Sequence, residues 1–344
     1  MPGFEPRPFR PAWWCPGAHA QTIFARFFRP APPLELTLER LETPDGDFLD
    51  IEILEGARDK PGVIVLHGLE GSSEAPYVRS LLSEIHKRGW HAAAVNFRGC
   101  SAVKRKGRRL FNDWGAEKNP NRLPTTYHSG KTDDLDWVVQ HLLRKTAWEN
   151  YYLAGYSIGG NIVLKWLGEQ GASAAGQIKK AAAVSVPYDL VKSVELMDQG
   201  FNRRVYTRSL LSSLKAKSLE KEKDFPGLID IAKVLKCTTF REFDEEVTAR
   251  LNHFHSALHY WTESSSARYL DSIRVPTLLI HAADDPFFEG RYLPLKAIES
   301  NASLRLCLVS RGGHLGFVSG KWPWRQDLWL EGVILSYFDD RPDK

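Results

Sequence analysis

Apolar residues along this chain gather into short unbroken runs: GVIVL at 62–66, the stretch 92–97, YYLA at 151–154, 181–186, TLLIH at 277–281 and 304–309. Runs of strand length without alternation mark strands covered on both faces, as in the middle of a parallel sheet. The segments between them change period. Val78, Leu81, Leu82 and Ile85 fall on one face of a helix over 77–88, and Leu135, Val138, Val139 and Leu142 do the same further on. Strand alternating with helix predicts an α/β fold with a mostly parallel central sheet flanked by helices. Only 34–42 and 48–54 alternate apolar with polar residues, on either side of Pro44-Asp45-Gly46-Asp47, which predicts a hairpin turned at an Asp-Gly pair. The stretch 329–338 reads as a last helix covering the sheet.

From 190 to 273 the period stays helical, through VKSVELM, RSLLSSLKAK, GLIDIAKVLK and EEVTARL. A helical block between two strands of such a sheet predicts a lid over the site at the strand ends. The expected organisation is therefore an arm over 1–33, a core over 34–187 and 274–344, and a helical lid insertion over 188–273. The arm carries Pro11, Trp13, Trp14, Phe24, Phe27 and Phe28. So many rings are expected to pack along the body of the domain. His19 in this arm is expected to hydrogen-bond structurally rather than act in a site.

Composition narrows the picture little but excludes several classes. In 344 residues, 43% hydrophobic and 26% charged, the net charge is +4, so charge alone implies neither a nucleic-acid nor a membrane partner. Cys15, Cys100, Cys237 and Cys307 are scattered and form no C-x-x-C pair, which argues against a zinc site or a disulfide framework and fits a reducing cytoplasm. No stretch approaches the length of a membrane span, leaving only peripheral membrane contact open. No metal and no cofactor is expected.

The candidate chemistry centres on YYLAGYSIGGNIVLKW at 151–166. An apolar strand breaks at Gly155-Tyr156-Ser157-Ile158-Gly159 and resumes as a helix with Ile162, Val163 and Trp166 inward. A serine at the tip of that turn sits in strained backbone, and the flanking glycines let strand and helix pass closely. The pentapeptide alone would arise by accident in roughly one chain in ten of this length, so its context decides. Downstream, one strand leads into Asp284-Asp285-Pro286 and another into Gly312-Gly313-His314. Serine, aspartate, histidine in that order, each after a strand, is the order of an α/β-hydrolase triad. The small-x-x-Asp turn favours Asp285 over Asp284 as the acid. The first strand ends in His67-Gly68-Leu69-Glu70-Gly71, where hydrolases of this fold place an oxyanion N–H, here that of Leu69, with Ile158 supplying the other. His67, Gly68 and Tyr156 are expected beside the substrate, His67 also bracing its loop.

Other signals are weaker. Lys104 to Arg109 holds five cations in six positions, read as a solvated loop ahead of a headgroup patch. Gly130-Lys131-Thr132 resembles the end of a phosphate loop, but Thr125 stands where that loop needs glycine. His128 and Asp133 match the H-x-x-x-x-D spacing of acyltransferases, yet they also open a helix that Thr132 would cap. Phe201, Leu211, Phe240 and Trp261 in the insertion favour an apolar acyl group.

The blocks HAQT, PDGDFLD, HGLEGSSEAPYVR, NFRGCS, YHSGKTDDL, GYSIGGN, FREFDEEVTA, ADDPF and GGHLGF, in register from about residue 9 to 318, resemble the YheT branch of the α/β-hydrolases. Its animal relatives are membrane-tethered phospholipid and monoacylglycerol lipases. The resemblance implies carboxylic-ester hydrolysis through an acyl-serine, with Ser157, Asp285 and His314 as triad and a small-molecule or lipid ester as partner. Ala20 stands where the branch has leucine. Acyl transfer on the same triad, or a hydrolase fold kept only for binding, are the rival readings.

Overall fold

In the computed structural model, which describes residues 4–101 and 120–340, the apolar runs become the parallel strands of one eight-stranded sheet, the last of them at its edge. Its order is β1 (Thr37–Glu42), β2 (Phe48–Leu54), β4 (His91–Asn96), β3 (Gly62–Leu66), β5 (Tyr151–Tyr156), β6 (Lys180–Val184), β7 (Thr277–Ala282) and β8 (Leu304–Val309). The strands from β4 across to β8 are parallel, and β1 and β2 close one edge antiparallel. The alternation of each inner strand divides it between two cores. Ile64, Leu66, Leu153, Ala181 and Leu279 face the helices α3 (Thr132–Lys145) and α4 (Ile158–Gln170). Val63, Val65, Ala154, Ala182 and Ile280 face α2 (Pro76–Lys87) and the C-terminal helix, Trp329–Phe338. Two apolar faces are why these strands read as continuous runs.

Three elements differ from the pattern-based expectation. β2 alternates in sequence, but all seven of its residues are buried. Its Asp50 is tolerated there because Arg40 of β1 grips it with two hydrogen bonds, 2.8 and 2.9 Å, while lying 3.7 Å over the Phe48 ring. Thr132 is the first helical residue of α3 rather than its cap, and Lys131 in the cap position makes no side-chain cap bond. The arm contains a helix, α1 (Ala18–Phe28), and a small hairpin of β9 (Ser319–Trp322) and β10 (Arg325–Asp327) packs nearby. Neither was legible as a period in the sequence. The basic run Lys104–Arg109 lies outside the described residues.

Several sequence blocks meet at one buried cation. Arg98, after β4, takes both oxygens of Asp134 at 2.9 and 2.6 Å and reaches Asp45 and Asp47 of the hairpin turn at 2.7 and 3.2 Å. A guanidinium spanning three carboxylates pins the antiparallel edge to the start of α3. Against burial that would raise it, hydrogen bonds from Thr43 and Arg98 bring Asp45 down to about 2.

Between β6 and β7 the chain forms the helical block, with its own apolar cluster that includes Met197, Leu211, Phe240, Phe243 and Val247. It includes the helices Leu190–Met197 and Arg208–Asp224. Asp244 is buried in this block, accepting from Trp261 Nε1 at 2.8 Å and Thr248 Oγ1 at 2.7 Å. Burial outweighs these bonds and pushes its carboxyl up to about 6. No helix among the described residues is long and apolar enough to cross a membrane.

Trp166 of α4 is fully buried and donates to Asp136 at 3.1 Å, so Trp166→Ala should lower stability by about 3–5 kcal/mol, read as a fall in the urea midpoint. A second expectation concerns Asp244. Its folded pKa lies above the unfolded value of about 3.9, so the native state binds more protons between the two, and stability should fall as pH rises from about 4 to about 6. Urea titrations across that window should show this slope in the wild type and its loss in Asp244→Asn.

Candidate active site

The turn between β5 and α4 holds Ser157 at φ 54° and ψ −122°, a conformation that L-residues resist. The close packing that enforces it depends on glycines. A Cβ on Gly155 would lie 2.5 Å from the Gly159 carbonyl oxygen, and one on Gly159 only 2.4 Å from that of His67. Strand, turn and helix therefore lock together, and the serine projects beyond the parallel strand ends.

His314 Nε2 lies 3.0 Å from Ser157 Oγ, and His314 Nδ1 lies 2.9 and 3.1 Å from the two oxygens of Asp285. Asp285 is fully buried. Against burial that would raise it, the adjacent His314 keeps its carboxyl below the ordinary value, so it is ionised at neutral pH. An ionised carboxylate can only accept, which puts the imidazole proton on Nδ1 and leaves Nε2 to accept from the serine. The backbone N–H groups of Phe287 and Phe288 also donate to Asp285, and the Phe287 ring stacks on His314 at 4.1 Å between centroids.

The competing aspartate has its own role. Asp284 Oδ1 accepts from the N–H groups of Gly312 and Gly313, both at 2.9 Å, and so braces the loop that carries His314. The arm braces the same loop from the other side. Thr22 Oγ1 accepts from His314 N–H at 2.9 Å. Gln21 accepts from Val318 N–H at 2.6 Å and donates to the carbonyls of Cys15 and Val318. Gly313 has φ +61°, and a Cβ there would meet the Ala18 carbonyl at 2.4 Å. These contacts give the HAQT block a physical role that sequence reasoning missed, because nothing in the spacing links residue 21 to residue 318. His19 bonds Tyr206 Oη at 3.0 Å and packs at a tilt against Phe201, joining arm to helical block.

The turn after β3 approaches the serine directly: a Cβ on Gly68 would sit 3.2 Å from Ser157 Cβ. The N–H groups of Leu69 and Ile158 have no hydrogen-bond partner among the described residues, and both residues line the cavity at Ser157. Their neighbours are held firmly. Tyr77 Oη accepts from Gly68 N–H, and Tyr127 Oη accepts from Glu70 N–H while donating to its carboxylate at 2.7 Å. Lys217 of the helical block pairs with Glu70 at 2.5 Å.

His67 and Tyr156, expected beside the substrate, are not among the residues that line the cavity. His67 is buried, donating to the Gly68 carbonyl at 2.7 Å and accepting from Phe97 N–H at 3.2 Å. Tyr156, at a β5 position whose side chain points into the sheet core, packs against Tyr77. Gly68 does line the cavity.

That cavity holds about 410 Å³ and is mostly apolar, with Val194, Met197, Leu214, Phe240 and Phe243 among its walls. Of the four apolar residues expected to favour an acyl group, Phe240 and Trp261 line it, Leu211 belongs to the block's own core and Phe201 is exposed. His128 is also on the wall, kept neutral by burial that lowers it to about 3. Asp133 pairs with Lys131 at 2.6 Å, while His128 accepts from Gly130 N–H, so the H-x-x-x-x-D pair forms no hydrogen-bonded dyad. Among the described residues no cluster of His, Cys, Asp or Glu is arranged to hold a metal ion, and none of the four buried cysteines is in a disulfide.

Comparison with known proteins gives three kinds of match. The family model described as Hydrolase_4, serine aminopeptidase S33, matches residues 57–292. The chain is 36% identical to the putative esterase YheT of Escherichia coli, covering 92% of this chain and 88% of that one. It is 27% identical to the phospholipase ABHD3 of Mus musculus, covering 96% of this chain and 77% of that one. Among solved structures, the esterase EaEST from Exiguobacterium antarcticum superposes with a TM-score of 0.51 at 17% identity, covering 81% of this chain and 92% of that one, a likeness of fold.

The hold on the histidine loop is testable. Gln21→Ala and Thr22→Val should each lower kcat on a soluble ester by about tenfold to a hundredfold with KM nearly unchanged, because the imidazole loses its registration with Ser157. Thr22→Ser, which keeps the acceptor for His314 N–H, should restore most of the rate.

Proposed function

The chain belongs to the YheT branch of the α/β-hydrolases and is a carboxylic ester hydrolase, and from that premise we propose that it cleaves acyl esters through an acyl-enzyme on Ser157, with His314 as base and Asp285 as its partner. The observation that carries this reading is the continuous line of hydrogen bonds from Ser157 Oγ through the imidazole to a buried carboxylate, opening into an apolar cavity.

Each group has a distinct task. A serine hydroxyl is a weak nucleophile at neutral pH, so His314 Nε2 takes its proton as Oγ attacks the ester carbonyl. Asp285 holds the tautomer and stabilises the imidazolium that forms. The developing oxyanion takes hydrogen bonds from the Leu69 and Ile158 N–H groups, each worth about 3–4 kcal/mol in comparable sites. The imidazolium then protonates the leaving alcohol, and water activated by the same Nε2 releases the acid.

The helical block serves as the lid, with walls that favour an aliphatic acyl group over a charged one. The phospholipase among the relatives points the same way. The proposed substrates are acyl esters of lipid type. Hydrolysis of p-nitrophenyl esters from about two to about sixteen acyl carbons should show an optimum beyond the shortest chains, and Ser157→Ala should lose at least about 10⁴-fold in kcat. Retention of activity in that variant would overturn the assignment of the nucleophile.

A further inference from the structure

The apolar cavity does not end at Ser157. Its lining reaches the surface at Ile23 and Phe27 of α1 and at Val205 of the helical block, all three exposed. The ring of His19 of α1 packs at a tilt against that of Phe201, 4.2 Å between centroids, so the arm helix and the block meet beside this opening. The mouth of the cavity is therefore framed partly by the N-terminal arm.

Around that mouth the surface is aromatic where water would be expected to select polar residues. Phe27 is 52% exposed and Phe28 60%, with their rings 6.4 Å apart. Gln326 of the hairpin donates to the Phe28 carbonyl at 2.6 Å, which brings β9 and β10 against the end of α1. There Trp324, 81% exposed, stacks on Trp322, which in turn packs edge-on to Trp13, 69% exposed. The indole N–H of Trp13 is fixed to the Lys321 carbonyl, so the ridge is built rather than loose. Stacked exposed indoles bury little from water, and a single-chain surface ordinarily keeps such residues dispersed. Tryptophan and phenylalanine together at one edge suit the headgroup level of a bilayer, where an apolar ring and a polar N–H are both accommodated.

Charge completes the match. Lys321 and Arg325 on the hairpin, and Arg204 and Arg208 beside Val205, are exposed and have no acidic partner among the described residues. The hairpin's Asp327 is neutralised by Arg7 at 2.9 Å. Cations flanking an aromatic ridge favour a surface carrying anionic headgroups.

We propose that the ridge formed by α1 and the β9–β10 hairpin docks the protein on an anionic lipid surface, so that an ester passes from the lipid through the mouth at Ile23, Phe27 and Val205 to Ser157. A protein bound to the same ridge would cap that opening, whereas a lipid surface supplies what the cavity solvates. The proposal rests on the ester-hydrolase reading for what passes through the mouth, but docking itself can be measured without turnover.

The experiment is flotation of the full chain with phosphatidylcholine vesicles, with and without about one-third phosphatidylglycerol, for the wild type and the variant Phe28→Gln/Trp324→Gln, neither residue lining the cavity. The wild type should float with the anionic vesicles, with a blue shift of tryptophan emission, and the variant should bind about tenfold more weakly. Its turnover of a soluble short-chain ester should stay within about twofold, while turnover of a long-chain ester carried in the vesicles should fall about tenfold. No flotation of the wild type, or equal flotation of the variant, would overturn the proposal. So would a dimer that the variant abolishes without any vesicle binding, which would assign the ridge to a second copy. Flotation lost in the variant, with no ester hydrolysed by either protein, would support docking and count against the ester reading alone.

Discussion

The backbone on either side of His314 takes conformations that the chain resists. Gly313, Leu315 and Phe317 all have positive φ, at 61°, 56° and 41°, and two of these are not glycine. A loop of this kind does not hold its shape by itself, so it must be held from outside. Asp284 grips its start, Thr22 and Gln21 grip its middle and end, Ser185 Oγ accepts from Leu315 N–H, and Arg29 of the arm reaches the Gly316 carbonyl while pairing with buried Glu331. Placing one imidazole 3.0 Å from Ser157 thus draws on both ends of the chain and on the loops after β6 and β7.

This explains the cost of the N-terminal segment. An arm with many aromatic side chains is an aggregation hazard unless it is packed or used. Here part of it is packed: Phe9 lies on Trp329 and Phe317, and Phe4 on Tyr337. Trp14 packs edge-on to Phe24, and Phe27 lines the cavity. The same segment that fixes the histidine also frames the way in, so arm packing and site geometry are one problem.

A second hold acts on the opposite wall of the site. The loop carrying Leu69 is tied through Glu70 to Tyr127 and to Lys217 of the helical block. Glu70 is buried, and a buried carboxylate demands such partners or it would not remain charged. Against burial that would lower it, the adjacent Cys100 and Glu70 keep Lys217 protonated. Any displacement of the block would strand both charges, so its position and that of the Leu69 N–H are mechanically coupled.

By itself the sequence determined the layer order, since continuous apolar runs have one stable use, as strands between two layers of helix. It also determined the serine turn and the order of serine, aspartate and histidine, because those depend on local backbone geometry and on strand ends. It ranked Asp285 over Asp284 from turn position, but what Asp284 holds appears only when Gly312 and Gly313 are seen to share one of its oxygens. Tertiary structure alone decided the rest. His67 and Tyr156 look like site residues in sequence because they adjoin Gly68 and Ser157. The alternation of a strand and the turn of a loop send their side chains the other way. The partnerships of Gln21 with Val318, Arg98 with Asp45 and Asp134, and Glu70 with Lys217 span from 36 to 297 positions of chain. No local period encodes a contact at that range, since it forms only when the sheet has brought both partners to one place.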